Sequence, residues 1–158
     1  GRCEVTSVIT VPGSRVHQHL ESSGQPVTLV SKTSKAEAFD FLAHQNSDLV
    51  VSAGFPYILP AFVLNASSVF INSHPSLLPA YRGYSAIREA FKVGEEYMGV
   101  TVHYMVKDVD TGPVIHQEKA SVKGLSLEEI YALLFGEVEP KTISHALDIL
   151  SRDGVNNH

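Results

Sequence analysis

The sequence predicts an α/β fold with a largely parallel sheet. Three observations carry this. Short runs rich in β-branched residues alternate with segments of helical spacing along the first half of the chain, the order of β-α-β units. The run Asp48-Leu49-Val50-Val51-Ser52-Ala53-Gly54 is apolar without alternation, as expected of a parallel strand covered on both faces. Glycine and proline mark the joins at Pro12-Gly13, Gly24, Gly94 and Gly112-Pro113.

In chain order, Val5 to Val11 is β-branched up to Pro12-Gly13 and reads as a strand. Arg15 to Ser23 reads as a short helix closed by Gly24, and Val27 to Val30 as a second strand. Lys35 to Asn46 places Ala38, Phe39, Leu42 and Ala43 on one helical face, with Ser34 and Glu37 in capping-box spacing. The Asp48–Gly54 strand follows, then an apolar loop or short helix from Phe55 to Leu64, interrupted by Pro56 and Pro60. Val69-Phe70-Ile71-Asn72 is the next strand, and Ser85 to Val93 a helix stopped by Gly94. Gly99 to Val106 alternates, with Val100, Val102 and Tyr104 on one face and Thr101, His103 and Met105 on the other. Val114 to Val122 is a further strand. Ser126 to Leu150 is helical, with Glu128 and Glu129 at its positive end and a bend near Pro140. The tail from Asp153 to His158 is polar and expected to fray.

A chain of 158 residues is expected to form one domain, residues 1–158, able to bury about 70% of its unfolded surface. Hydrophobic residues at 44% and charged residues at 18% suit a soluble globular protein. A net charge of −5 without a Lys/Arg run argues against a broad nucleic-acid footprint. No apolar stretch approaches the roughly 18 residues of a membrane span. Cys3 is the single cysteine; it excludes an intrachain disulfide, reads as inert, and fits a reducing, cytoplasmic compartment.

Glycine-rich dinucleotide, P-loop and nucleophile-elbow signatures are absent. His17 and His19 lack a third ligand nearby, so no metal site is expected. His44, His116 and His145 stand in no motif and read as structural or surface residues. His103 reads as a packed neighbour of a site rather than as a catalytic group.

The candidate site is the stretch Asn72-Ser73-His74-Pro75-Ser76-Leu77-Leu78-Pro79 together with Asp108-Val109-Asp110-Thr111-Gly112. Asn72 and His74 leave the same face if their strand runs that far. An amide and an imidazole can donate to the oxyanion of acyl transfer, and a carboxylate can orient the imidazole and collect a proton. The same residue types also build polar turns, so composition alone leaves both readings open.

The segments Asn72 to Gly83, Gly99 to His103, and Asp108 to Ile115 resemble the signature of the folate-dependent formyltransferases, with phosphoribosylglycinamide formyltransferases the nearest branch. Asp48 to Phe55 and Ile58-Leu59-Pro60 extend the likeness over roughly residues 5 to 150. The resemblance implies a Rossmann-like formyltransferase fold, a mostly parallel sheet flanked by helices. It implies Asn72, His74 and Asp110 as the catalytic trio and Thr101 as a hydroxyl supporting the aspartate. It implies 10-formyltetrahydrofolate as formyl donor, its pterin against Phe55, Tyr57, Ile58 and Leu59 and against Val106, Lys107, Asp108, Thr111 and Gly112.

Three departures bear on the acceptor. The family's opening strand and phosphate-cradling loop have no counterpart here, so the chain reads as N-terminally truncated relative to the family, and its incomplete sheet favours a homo-oligomer. Tyr57 stands where the glycinamide enzymes commonly carry arginine. Tyr81-Arg82-Gly83 is nearer the tRNA and sugar branches. The expected activity is formyl transfer to a small primary amine, glycinamide ribonucleotide first, without nucleic acid or membrane as partner. A silent folate-binding module, an amino-sugar formyltransferase and a formyltetrahydrofolate hydrolase remain as alternatives.

Overall fold

A computed structural model describes residues 4–10, 18, 22, 24, 27–29 and 34–153. Strands β1 (Val8–Thr10) and β2 (Val27–Leu29) pair in parallel as one small sheet. The helix expected over Arg15 to Ser23, His17, His19, Cys3 and the tail beyond Asp153 lie wholly or largely outside the described residues. Next come α1 (Lys35–His44), β3 (Leu49–Ala53), α2 (Ala61–Leu64), β4 (Val69–His74), α3 (Ala86–Val93), β5 (Tyr97–Tyr104) and β6 (Val114–Ser121). The chain then runs through α4 (Leu127–Leu133), a π-helical turn (Leu134–Val138) and α5 (Glu139–Asp153).

The main sheet has the order β3-β4-β5-β6. β3 and β4 are parallel, joined by the crossover that contains α2. β4 with β5, and β5 with β6, are antiparallel. The α/β class therefore stands, with a mixed sheet. The nine-residue connection 105–113 is too short for the crossover that a parallel β5–β6 pair would need. β3 was expected to be buried on both faces; among the described residues it lies at the edge of this sheet, and Val51 is 41% exposed.

Three apolar clusters hold these elements together. Phe39, Leu42, Leu59, Val63 and Phe70 join α1, α2 and β4. Val69, Ile71, Val102, Ala146 and Leu150 place α5 against β4 and β5. Ile87, Met98, Val100, Ile130, Leu134 and Val138 join α3 and the α4–π segment to β5. At α1 the expected capping box does not form. Ser34 sits at φ −112°, ψ 52°, and its side chain makes no cap bond, because that backbone geometry is not the extended one a capping hydroxyl requires. Ser126, extended at φ −69°, ψ 162°, does form a capping box with Glu129 at the start of α4. The long helix expected over Ser126 to Leu150 is broken by the π turn just before Pro140. Proline's ring clashes with the carbonyl four residues back and cannot donate to it, and widening the turn relieves both problems.

Glu139 opens α5 with its carboxyl behind β4, where it accepts a hydrogen bond from the Ser73 hydroxyl. Burial pushes this carboxyl above its ordinary value, against the opposing Ser73 bond. A raised acid stabilises the fold in its protonated form. That share is complete below the ordinary carboxyl range and is lost as pH rises through the folded-state value. Glu139→Gln should therefore melt higher than wild type at pH 7.5 and converge with it near pH 4. Parallel melting curves across that range would refute this.

Candidate active site

β4 carries Asn72 and His74, which share a face by strand alternation. In the antiparallel register Asn72 faces His103 and His74 faces Thr101. Four polar side chains thus meet on one face of β4 and β5. The loop after β5 then turns back, and Asp110 takes a left-handed backbone at φ 54°, which aspartate tolerates better than most residues. This turn brings the carboxylate onto the strand pair.

Asp110 divides its oxygens. Oδ2 lies 3.3 Å from His74 Nδ1 and accepts the Gly83 N–H at 2.9 Å. Oδ1 lies 3.5 Å from His103 Nε2. The side chains of His74, His103 and Asp110 are all less than a tenth exposed. Burial alone pushes the Asp110 carboxyl up. The His103 hydrogen bond, the Gly83 N–H and the charge of His74 outweigh it, so the carboxyl is held below its ordinary value. Asp110 is therefore an anion at any pH used for assay.

His74 Nε2 lies 2.8 Å from the Tyr81 carbonyl. Both of its ring nitrogens face oxygen acceptors, an arrangement satisfied by a ring carrying two N–H donors. His103 Nδ1 lies 2.8 Å from its neighbour's carbonyl, that of Tyr104, and its Nε2 lies 3.5 Å from Asn72 Nδ2. Among the described residues no buried side-chain polar atom lacks a partner. The set joins an amide donor, a doubly donating imidazole and an ionised carboxylate within one hydrogen-bonded cluster. These are the parts for holding a developing oxyanion and accepting a proton.

Thr101 differs from its expected role. Its hydroxyl donates to the Ser76 carbonyl at 2.6 Å and accepts from the Leu78 N–H at 3.1 Å and Gln117 Nε2 at 2.8 Å. It braces the loop that leaves His74, and reaches Asp110 only through that loop and His74. Strand register explains this, since Thr101 pairs with His74 while His103 stands nearer the aspartate. His103 is the group that sequence reasoning set aside. Its placement on the Thr101 face of the alternating strand was the available signal.

The residues expected along a pterin fall into three groups by exposure. Ile58 and Val106 are 69% and 42% exposed, and Lys107, Asp108 and Thr111 are exposed on the same loop as Asp110. Phe55 and Tyr57 are half-buried and meet edge to face at 5.5 Å. Leu59 is buried in the apolar cluster with Phe39, Leu42, Val63 and Phe70, so its side chain faces the core and not the exposed side of that segment. Met105 packs on the same cluster, bringing the two loops against one apolar base. Gly112 is buried, and a Cβ there would collide with the Tyr104 carbonyl oxygen. Gly112→Ala should push the Asp110 loop outward at a cost of about 1–3 kcal/mol, read as a lower denaturation midpoint. An unchanged midpoint would show that the loop absorbs the methyl.

The formyl transferase family profile matches residues 5–147. A methionyl-tRNA formyltransferase of Staphylococcus epidermidis is 33% identical over 92% of this chain, and the match covers 52% of that protein. The chain thus spans about half the length of the curated relatives it matches. The phosphoribosylglycinamide formyltransferase of Bacillus halodurans superposes with TM-score 0.81 at 29% identity, over 96% of this chain and 83% of that one. A formyltetrahydrofolate deformylase of Pseudomonas syringae does so with TM-score 0.80 at 27% identity, over 95% of this chain and 53% of that one. With its fold, its polar cluster and a profile match along nearly its whole length, the chain belongs to the formyl transferase family.

Proposed function

We propose that this protein transfers a formyl group from 10-formyltetrahydrofolate to a primary amine. The observation that carries the reading is the Asp110 carboxylate held between His74 and His103, with Asn72 beside them at the end of β4. A donor of that kind fits the surroundings. Ile58, Val106 and Val109 expose apolar side chains on the loops beside the cluster, as a flat ring system would require. When bound, the donor supplies an activated formyl group.

The chain's own groups would then act in order. Asn72 would donate its amide N–H to the formyl oxygen as that oxygen gains charge. His74 would turn one N–H from its protein acceptor toward the same oxygen. Asp110 would hold the imidazole in place through its Nδ1 and, through water, receive the proton lost by the attacking amine. The amine nitrogen would bond the formyl carbon first; the formyl–folate bond would break as the resulting tetrahedral centre collapses, and the departing folate nitrogen would take up a proton.

For the acceptor we favour glycinamide ribonucleotide. Support comes from the phosphoribosylglycinamide formyltransferase that superposes over most of both chains. Methionyl-tRNA is the second reading, supported by the tRNA-directed relatives in sequence and by Tyr81-Arg82-Gly83 beside the site. The test is loss of the donor's formyl group with each acceptor and with buffer alone. Labelled glycinamide product at a rate well above buffer supports the first reading, and labelled methionyl-tRNA the second. Formate release equal in all arms would replace transfer by hydrolysis. Saturable folate binding without turnover in any arm would overturn the enzymatic reading.

A further inference from the structure

On the opposite face of the sheet from Asn72 and His74 lies a second histidine-carboxylate cluster. His116 and Glu118 alternate along β6 and so share a face. In register they stand opposite Val102 and Val100, the residues of β5 that pack under the helices. His145 reaches them from α5. His116 Nε2 lies 3.0 Å and His145 Nδ1 2.9 Å from the same oxygen, Glu118 Oε1. The two imidazole rings meet at 80° with centroids 5.2 Å apart. Lys141 takes the other oxygen, with Nζ 3.2 Å from Oε2. The hydrogen bonds from His116, His145 and Lys141 hold the Glu118 carboxyl down at about 2, against burial that would raise it.

Two imidazole nitrogens and one carboxylate oxygen converging within 4.8 Å of one another are the donor set of a three-ligand zinc centre. Ligand atoms around a tetrahedral zinc stand about 3.3 Å apart at bond lengths of about 2.0–2.1 Å. The two nitrogen–oxygen separations, 3.0 and 2.9 Å, need only a few tenths of an ångström of opening, and the two ring nitrogens, within 4.8 Å of each other, settle to the same spacing by rotation of the half-exposed His145 side chain. The histidine side chains are 29% and 45% exposed, so an ion can enter from solvent and a water can complete the coordination. Lys141 is placed as the outer partner that a ligating carboxylate commonly has.

We propose that His116, Glu118 and His145 bind one Zn2+ ion, which ties the edge strand β6 to helix α5. The ion replaces the two N–H···O contacts with metal bonds, and each histidine presents a deprotonated ring nitrogen.

The test is titration of the whole, chelator-treated chain with Zn2+ alone, followed by calorimetry and by thermal melting. One saturable equivalent is expected, with a melting point raised by about 5–10 °C at a hundredfold excess over Kd. Co2+ in place of Zn2+ should give the intense visible bands of a four-coordinate ion. His145→Ala and Glu118→Gln should each weaken binding at least tenfold and remove the melting shift, with circular dichroism confirming that both remain folded. His145→Gln serves if the alanine variant does not fold. Binding of unchanged strength in these variants would place the ion elsewhere, for example on His74, His103 and Asp110, and overturn the proposal. Absence of saturation at millimolar Zn2+ would overturn it equally.

Discussion

His74→Ala is expected to lower kcat for formyl transfer by about 10²–10³, with the affinity for 10-formyltetrahydrofolate nearly unchanged. The magnitude is that of losing one preorganised donor from the oxygen that gains charge. Asp110→Ala should cost at least as much. Its carboxylate faces both His74 and His103 and accepts the Gly83 N–H, so its loss leaves two buried rings without their shared partner. Because these groups act as a unit, the double variant should be little worse than either single one. The donor's apolar contacts lie on other residues, which is why KM for the folate should move far less than kcat. Near-wild-type turnover in either single variant would sink the assignment. A loss confined to KM would recast these residues as binding groups.

Thr101→Val is expected to destabilise the protein by about 2–4 kcal/mol. The hydroxyl is fully buried and bonds Ser76, Leu78 and Gln117. Valine keeps the volume and orphans those groups, each at about 1–3 kcal/mol with some offset by relaxation. Denaturant unfolding should show a lower midpoint with an unchanged slope. Thr101→Ser should restore most of it. Turnover measured on the folded fraction should fall less than in His74→Ala, since the effect on chemistry passes through the loop that leaves His74. A wild-type midpoint combined with an altered pH–rate profile would return Thr101 to the role of direct support for Asp110.

Among the described residues no helix is long and apolar enough to cross a membrane, in keeping with the composition. Most elements of the main sheet and its helices were legible one by one. Their signals are local: β-branched runs for β4 and β6, and helical spacing before the left-handed Gly94 that ends α3. Boundaries moved by a residue or two, as at β4, which continues through His74. The π turn before Pro140 was legible only as a bend, because proline reveals that a helix must yield but not how.

The site divides the same way. Strand alternation alone puts Asn72 and His74 on one face, and the spacing and chemistry of their motif, with that around Asp110, mark a place for acyl transfer. Pairing between strands is not written in any short stretch of residues. Only the antiparallel register of β4 on β5 sets His103 opposite Asn72 and Thr101 opposite His74, which exchanges the roles the two seemed to have. Only the packing of the core shows that Leu59 faces inward while Ile58 faces out. Likewise, His116, Glu118 and His145 stand in no motif, yet the docking of α5 on β6 gathers them around one oxygen. The chain determined by itself which residues alternate, which turn and which can do chemistry. Which of them touch was decided by the tertiary structure, because contacts between distant segments follow from the joint burial of their apolar faces and not from either segment alone.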